Sequence, residues 1–120
     1  MTWATTFATR WQDFYNHAVE RLVNECYATD CAIHAMGAGV FHGRAALLKI
    51  ERAVLRAAPT RFLKLDTVRG DDTCIIIEAT LQETPEVGAW QIPFCAVLTL
   101  ENGLVVRDHT YADWSKWPGL

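Results

Sequence analysis

The second half of the chain constrains the fold most. From residue 61 onward, four runs of β-favouring residues follow one another, separated only by short turn signals. Arg61 to Arg69 alternates Phe62, Lys64, Asp66 and Val68 against Leu63, Leu65 and Thr67. Gly70-Asp71-Asp72 then reads as a hairpin. Thr73 to Thr84 is β-rich around Ile75-Ile76-Ile77, and Pro85 to Gly88 marks the next turn. Ala89 to Leu100 is a long run interrupted by Pro93, which has no N–H to donate and so signals a bulge or a local edge. Glu101-Asn102-Gly103 is a tight hairpin turn, Leu104 to Trp114 the last strand, and Ser115 to Leu120 a tail. This pattern requires a meander of long strands.

The first half has a different period. Trp3, Phe7, Trp11, Phe14 and Ala18 recur at three- and four-residue spacing, which predicts a helix over 3–18 with one apolar stripe. Val19, Leu22, Val23 and Cys26 suggest a second, short helix, and Tyr27-Ala28-Thr29-Asp30 breaks the pattern. Cys31 to Met36 and Val40 to His42 read as short extended pieces around a Gly37-Ala38-Gly39 turn. Gly43 precedes a third helix, Arg44 to Ala57, whose Ala46, Leu47, Ile50, Val54 and Ala57 share a face and which Pro59 stops. The order α-α-β-β-α-β-β-β-β is an α+β pattern, with the helices on one face of an antiparallel sheet.

A length of 120 residues is one domain's worth, and no repeat or linker divides it, so a single domain over 1–120 is expected. Hydrophobic residues at 51% exclude a disordered chain. A net charge of −3, with no basic run, argues against nucleic acid or an anionic membrane as partners. No apolar stretch approaches the ~20 residues that span a bilayer. The start MTWATTFATRW lacks a charged segment followed by an apolar one, so no secretory signal is expected and a cytoplasmic location is. Cys26, Cys31, Cys74 and Cys95 show no C-x-x-C spacing and no histidine at ligand spacing. No metal site is expected from them, and all four are expected reduced and buried.

Three segments carry a resemblance. Tyr27-Ala28-Thr29-Asp30-Cys31-Ala32-Ile33-His34 is similar to an aromatic-Ala-x-Asp-x-small-apolar start of a first strand. Gly39-Val40-Phe41-His42-Gly43-Arg44-Ala45-Ala46-Leu47 is similar to a Gly-x-x-x-Gly-Arg-x-Ala-apolar signature before a third helix. Asn102 to Asp113, with Gly103-Leu104 and Tyr111-Ala112-Asp113, is similar to a last strand of the form Gly-x-Ile…Tyr-x-Asp. Together they resemble the nuclear-transport-factor-2-like superfamily, and within it the SnoaL-like branch, over nearly the whole chain. The resemblance implies a cystatin-like cone, in which a strongly curved, mostly antiparallel sheet wraps around three helices and leaves a cavity open at one end. Such cavities serve isomerases, epoxide hydrolases, polyketide cyclases and dehydratases, or only bind ligands, so the pocket residues must decide.

Laid on the ketosteroid isomerase pattern, the helix-1 tyrosine falls on Trp11, the base on Ala35 and the oxyanion-hole aspartate on or beside Ala96. Ala35 cannot take a proton. The epoxide hydrolase pattern needs an Arg-x-Asp, and Ile77-Glu78-Ala79-Thr80 offers only Glu78; the last-strand carboxylate would fall near Thr110. A SnoaL-type cyclase needs less: a general acid/base aspartate near the last strand and an apolar pocket.

Side chains alternate along a strand. Leu104, Val106, Asp108, Thr110 and Ala112 share one face of the last strand, and Val105, Arg107, His109, Tyr111 and Asp113 the other. By the resemblance the first set faces the cavity. Asp108 then sits among apolar groups, where burial raises its pKa and suits it to proton transfer. A bulge would reverse the phase and leave Asp108 ion-paired beside Arg107. In the competing constellation His109 faces inward with Tyr111 and Asp113 and with His34 on the first strand, since histidine is suited to proton transfer near neutral pH. His17 and His42 read as surface or capping residues, and Arg44 as a tie to nearby carbonyls.

Five Trp, five Phe and three Tyr are many for one small core. Trp11, Phe14 and Tyr15 on helix one, with Trp90 and Thr110, are candidate ligand contacts, and Phe94 and Trp114 add to the wall or to a dimer contact. Arg107, Tyr111 and Trp114 are interface-type residues for a homodimer. The tail, with Trp114 and Trp117, is expected on the partner or over the cavity mouth. The expected function is cofactor-independent acid/base chemistry, a cyclisation, isomerisation or dehydration, on a small apolar or polycyclic molecule. A non-catalytic ligand-binding module and a protein-interaction domain are the alternatives.

Overall fold

A computed structural model describes residues 2–84 and 90–120. Helices α1 (Trp3–His17) and α2 (Val19–Cys26) are followed by strands β1 (Tyr27–Ala35) and β2 (Gly39–His42), then helix α3 (Arg44–Ala57). Strands β3 (Arg61–Gly70), β4 (Cys74–Glu83), β5 (Gln91–Glu101) and β6 (Leu104–Tyr111) complete one six-stranded sheet in the order β2-β1-β6-β5-β4-β3. Among the described residues only the β1–β6 pair is parallel, and it joins the two halves of the chain. The sheet is open and the helices lie on one side of it, the α+β arrangement that the element order predicts.

The apolar stripe of α1 buries Ala4, Phe7, Ala8, Trp11, Phe14 and Tyr15. Thr2 starts the helix, its hydroxyl accepting from the Thr5 N–H at 3.1 Å. Ala18, with ψ at 68°, turns the chain out of helical geometry and separates α2 from α1. The inner residues of β4 and β5, among them Ile75, Ile77, Leu81, Ala96 and Leu98, are almost wholly buried against the helices. Each such large aliphatic side chain contributes about 1.5–3 kcal/mol.

Helix α1 also closes an edge. β3 ends the sheet, and Asn16 acts as a strand partner for it: its Oδ1 accepts from the Leu63 N–H at 2.7 Å and its amide donates to the Leu63 carbonyl at 3.0 Å. Gln12 accepts from the Leu65 N–H at 2.9 Å. Backbone groups that would otherwise invite another strand are thereby satisfied.

Several boundaries differ from the sequence reading. β1 begins at Tyr27 rather than Cys31, because the register shift between Tyr27 and Ala32 absorbs residues 28–30 as a bulge. Arg44 ties this start, its Nε donating to the Tyr27 carbonyl at 2.8 Å. The last strand stops at Tyr111, and Trp114–Lys116 forms a 3-10 turn capped by Asp113. The Asn102-Gly103 turn has φ of 51° and 78°, as a two-residue hairpin between right-twisted strands requires. Pro93 pairs in regular register with Thr80, but β6 reaches only as far as Cys95, so the proline sits at a local edge. The Pro85–Gly88 turn and Ala89 lie outside the described residues. All four cysteines are free; Cys26 and Cys31 are buried, but Cys74 and Cys95 are only half-buried, since both lie on the outward side of their strands.

Candidate active site

A cavity of about 80 Å³ opens between α1, α3, the β1–β6 pair and the tail. Trp11 and Leu22 from the first two helices, Ile33 from β1, Leu47 from α3 and Phe94 from β5 make most of its wall. Trp114 and Trp117 cover it from the tail. Trp114 Nε1 donates to the Met36 carbonyl at 2.9 Å, and Trp117 meets Phe94 edge-on with ring centroids 5.3 Å apart. The tail therefore packs over the cavity mouth; Trp114 belongs to this cover and not to the outer face of the sheet.

Asp108 lies at the bottom of the cavity, 5% exposed. A bulge precedes it. Leu100 pairs with Val105 but Thr99 with Arg107, so Val106 is an extra residue in β6. Strict alternation puts Leu104 and Val106 inward with Asp108, whereas Val105 is the wholly buried residue of that segment. Beyond the bulge the alternation resumes, and Asp108 and Thr110 line the cavity.

The carboxylate of Asp108 is held from two sides. The Tyr27 hydroxyl donates to Oδ2 at 2.8 Å and the Thr110 hydroxyl to Oδ1 at 2.5 Å. Trp11 Nε1 donates in turn to the Tyr27 oxygen at 3.2 Å. Burial pushes the Asp108 carboxyl above the usual carboxylate range, although both hydroxyls pull against it. Burial, then the charge of Asp108, raises the Tyr27 phenol as well.

Across from this chain stand Tyr15 and Glu51. The Tyr15 hydroxyl and Glu51 Oε2 are buried, line the cavity and have no hydrogen-bond partner. Burial, helped by the charge of Asp108 and opposed by Arg61, pushes Glu51 up to about 7. Arg61 packs behind Tyr15: its guanidinium lies 4.0 Å from the ring centroid and donates to the Tyr15 carbonyl at 2.9 Å.

The other sequence candidates lie elsewhere. His34 and His109 are register partners on the opposite face of the sheet, their rings 4.4 Å apart, because they alternate with the inward residues. The inward-facing His109 constellation with Tyr111 and Asp113 is thereby corrected. Burial, then His34 and Arg107, push the His109 imidazole below its ordinary range. Phe14 is buried beneath Arg21, whose guanidinium is 4.5 Å from its ring, and does not line the cavity. Trp90 donates to Glu83 at 3.0 Å and is also outside the lining. Among the described residues, no group of three or more His, Cys, Asp or Glu side chains could hold a metal. Ala35, at the isomerase base position, does line the cavity and offers no proton acceptor.

Sequence reasoning missed Tyr27 and Glu51. Tyr27 was read as part of a break, since its role depends on Asp108, 81 residues away. Glu51 carried a signal: it stands four residues after Leu47 and three before Val54, a carboxylate on the apolar face of its helix.

Among the described residues, three helices on one side of an open six-stranded mixed sheet form an α+β fold of the nuclear-transport-factor-2-like, or cystatin-like, kind. The model of the SnoaL-like domain matches residues 6–108. The chain belongs to the SnoaL-like family.

Solved structures agree on the fold. An assigned isomerase of the SnoaL-like family from Agrobacterium tumefaciens superposes with a TM-score of 0.78 at 19% identity, over 94% of this chain and 99% of its own. An assigned SnoaL-like polyketide cyclase from Jannaschia sp. CCS1 gives 0.77 at 12% identity, over 93% and 86%. A ketosteroid-isomerase-like protein from Catenulispora acidiphila, in complex with trimethylamine, gives 0.79 at 14% identity, over 98% and 91%. No curated protein matches the sequence significantly.

Proposed function

We propose that the chain is a cofactor-independent acid/base enzyme of the SnoaL-like type, catalysing a cyclisation, isomerisation or dehydration on a molecule with an apolar body. The observation that carries this reading is Asp108: a buried carboxyl facing an apolar cavity, fixed at both oxygens and pushed by burial above the usual carboxylate range. A carboxyl so placed can donate to a leaving or carbonyl oxygen and recover the proton afterwards. Tyr15 on the opposite wall has a free hydroxyl to polarise the substrate. A cavity of about 80 Å³ suits a small ring; a polycyclic substrate requires the tail to lift, since drug-sized ligands occupy roughly 300–1,000 Å³.

Exchange of carbon-bound protons tests the reaction class without knowing the product. Small cyclic ketones and β-hydroxyketones are incubated with the protein in deuterium oxide and followed by NMR. Wild type should catalyse exchange α to the carbonyl, and Asp108→Asn should slow it about 100-fold or more. Exchange that survives in Asp108→Asn removes Asp108 from the mechanism. The absence of exchange or turnover in wild type across the panel favours the second reading, a ligand-binding module, which the enclosed cavity with unpartnered Tyr15 and Glu51 atoms also supports. A homodimer through the outer face of the sheet belongs to either reading.

A further inference from the structure

We propose that the cavity takes a small alkylammonium ion, with its N–H groups on Glu51 and Tyr15 and its alkyl groups against the aromatic wall. This goes beyond the acid/base reading and does not depend on it, because a module that only binds would need the same contacts.

Three observations converge. The first is a pair of buried cavity atoms without partners, Glu51 Oε2 and the hydroxyl of Tyr15, a residue only 5% exposed. A buried polar atom left unpaired loses its hydration with nothing in return. An occupant with polar hydrogens satisfies the Glu51 carboxylate, an acceptor only, and the lone pairs of the Tyr15 oxygen at once.

The second observation is the charge balance. Glu51 and Asp108 are the acidic side chains of the lining, and among the described residues no Lys, Arg or His joins them there. An anion in this cavity would meet two carboxyls and no cationic lining residue, Arg61 standing behind the Tyr15 ring, whereas a cation relieves their mutual repulsion.

The third is the wall. Trp11, Tyr15, Phe41, Phe94, Trp114 and Trp117 all line the cavity. Aromatic faces attract a desolvated cation. They also accept its methyl groups, and the volume of about 80 Å³ limits the occupant to a few carbons.

The groups that face Glu51 come from four elements: Tyr15 on α1, Tyr27 on β1, Arg61 on β3 and Asp108 on β6. Arg61 makes no ion pair with Glu51; its guanidinium is engaged with the ring and carbonyl of Tyr15. Burial dominates and leaves Glu51 protonated at about half its copies near pH 7 when the cavity is empty. A bound cation favours the ionised form, so binding releases a proton from Glu51 and tightens as pH rises.

The test uses the full chain and two probes of the same shape, tert-butylammonium and the neutral tert-butanol. Binding is measured by calorimetry and by the fluorescence of the cavity tryptophans at pH 6, 7 and 8. Tert-butylammonium should bind about tenfold tighter at pH 8 than at pH 6, the factor for one group titrating near 7. Tert-butanol should bind at least tenfold more weakly than the cation at pH 8. Glu51→Gln should weaken cation binding at least tenfold and flatten its pH dependence, with near-UV circular dichroism confirming the fold. If that variant does not fold, the two probes on wild type decide alone. Equal binding of the two probes, undetectable cation binding at pH 8, or a pH dependence unchanged in Glu51→Gln would each overturn the proposal. None of these results touches the exchange assay on Asp108, so the two readings fail separately.

Discussion

Asp108 and Glu51 are both carboxyls in the same cavity, yet their surroundings differ. Asp108 accepts two hydroxyl hydrogen bonds, and Glu51 Oε2 accepts none. The consequence for Glu51 is a dependence of stability on pH. Its folded pKa of about 7 lies above the 4.5 of the unfolded chain. Below 4.5 both states hold the proton and the group costs nothing. As pH rises from there to 7 the unfolded chain ionises first, so stability falls; above 7 the loss is constant. The loss is of the order of 3 kcal/mol. Glu51→Gln should therefore be close to wild type in urea unfolding at pH 4.5 and more stable than wild type at pH 8. A gap that does not widen with pH would show that Glu51 is solvated in the folded protein.

At the scale of elements, the site depends on one irregularity and one short segment. The extra residue Val106 in β6 lets Val105 fill the core and still turns Asp108 into the cavity, which strict alternation cannot do for both. The segment 114–120 closes the mouth through the Trp114–Met36 hydrogen bond, the Trp117–Phe94 contact and Leu120. Truncation after Asp113 should open the cavity: an environment-sensitive apolar dye should bind several-fold more strongly, and unfolding should shift by about 2 kcal/mol for the lost indole burial. Unchanged dye binding would mean that the tail does not cover the cavity in solution. The meander was legible at this scale because turn chemistry is local: Gly70-Asp71-Asp72 and Asn102-Gly103 carry their geometry in their own residues. The start of β1 was not, because residues 28–30 bulge only against a strand from the other end of the chain.

For the whole molecule, the outer face of the sheet is the surface on which assembly is tested. Ile76, Val97, His109 and His34 form one row across β4, β5, β6 and β1, and Ile76 is 41% exposed. With exposed Tyr111 nearby, this face suits a second copy of the chain. Sedimentation should give twice the 13.5 kDa mass of one chain, and Ile76→Asp should shift it to the monomer. A monomeric wild type would remove the homodimer. Among the described residues, no helix is long and apolar enough to cross a membrane.

The sequence alone determined the α+β order, the apolar face of each helix, the hairpin turns and the residue type at Asp108, because periodicity and turn preference act over a few residues. The reach of Trp114 and Trp117 over the cavity was already one of its alternatives. Tertiary structure decided which of those residues share a cavity. It put His34, His109, Phe14 and Trp90 outside and brought in Tyr27 and Glu51. The reason is physical: facing depends on bulges and register, and hydrogen bonds such as Tyr27 to Asp108 close over 81 residues of chain. Burial, which shifts both carboxyls, is a property of everything packed around them and not of their own neighbours in sequence.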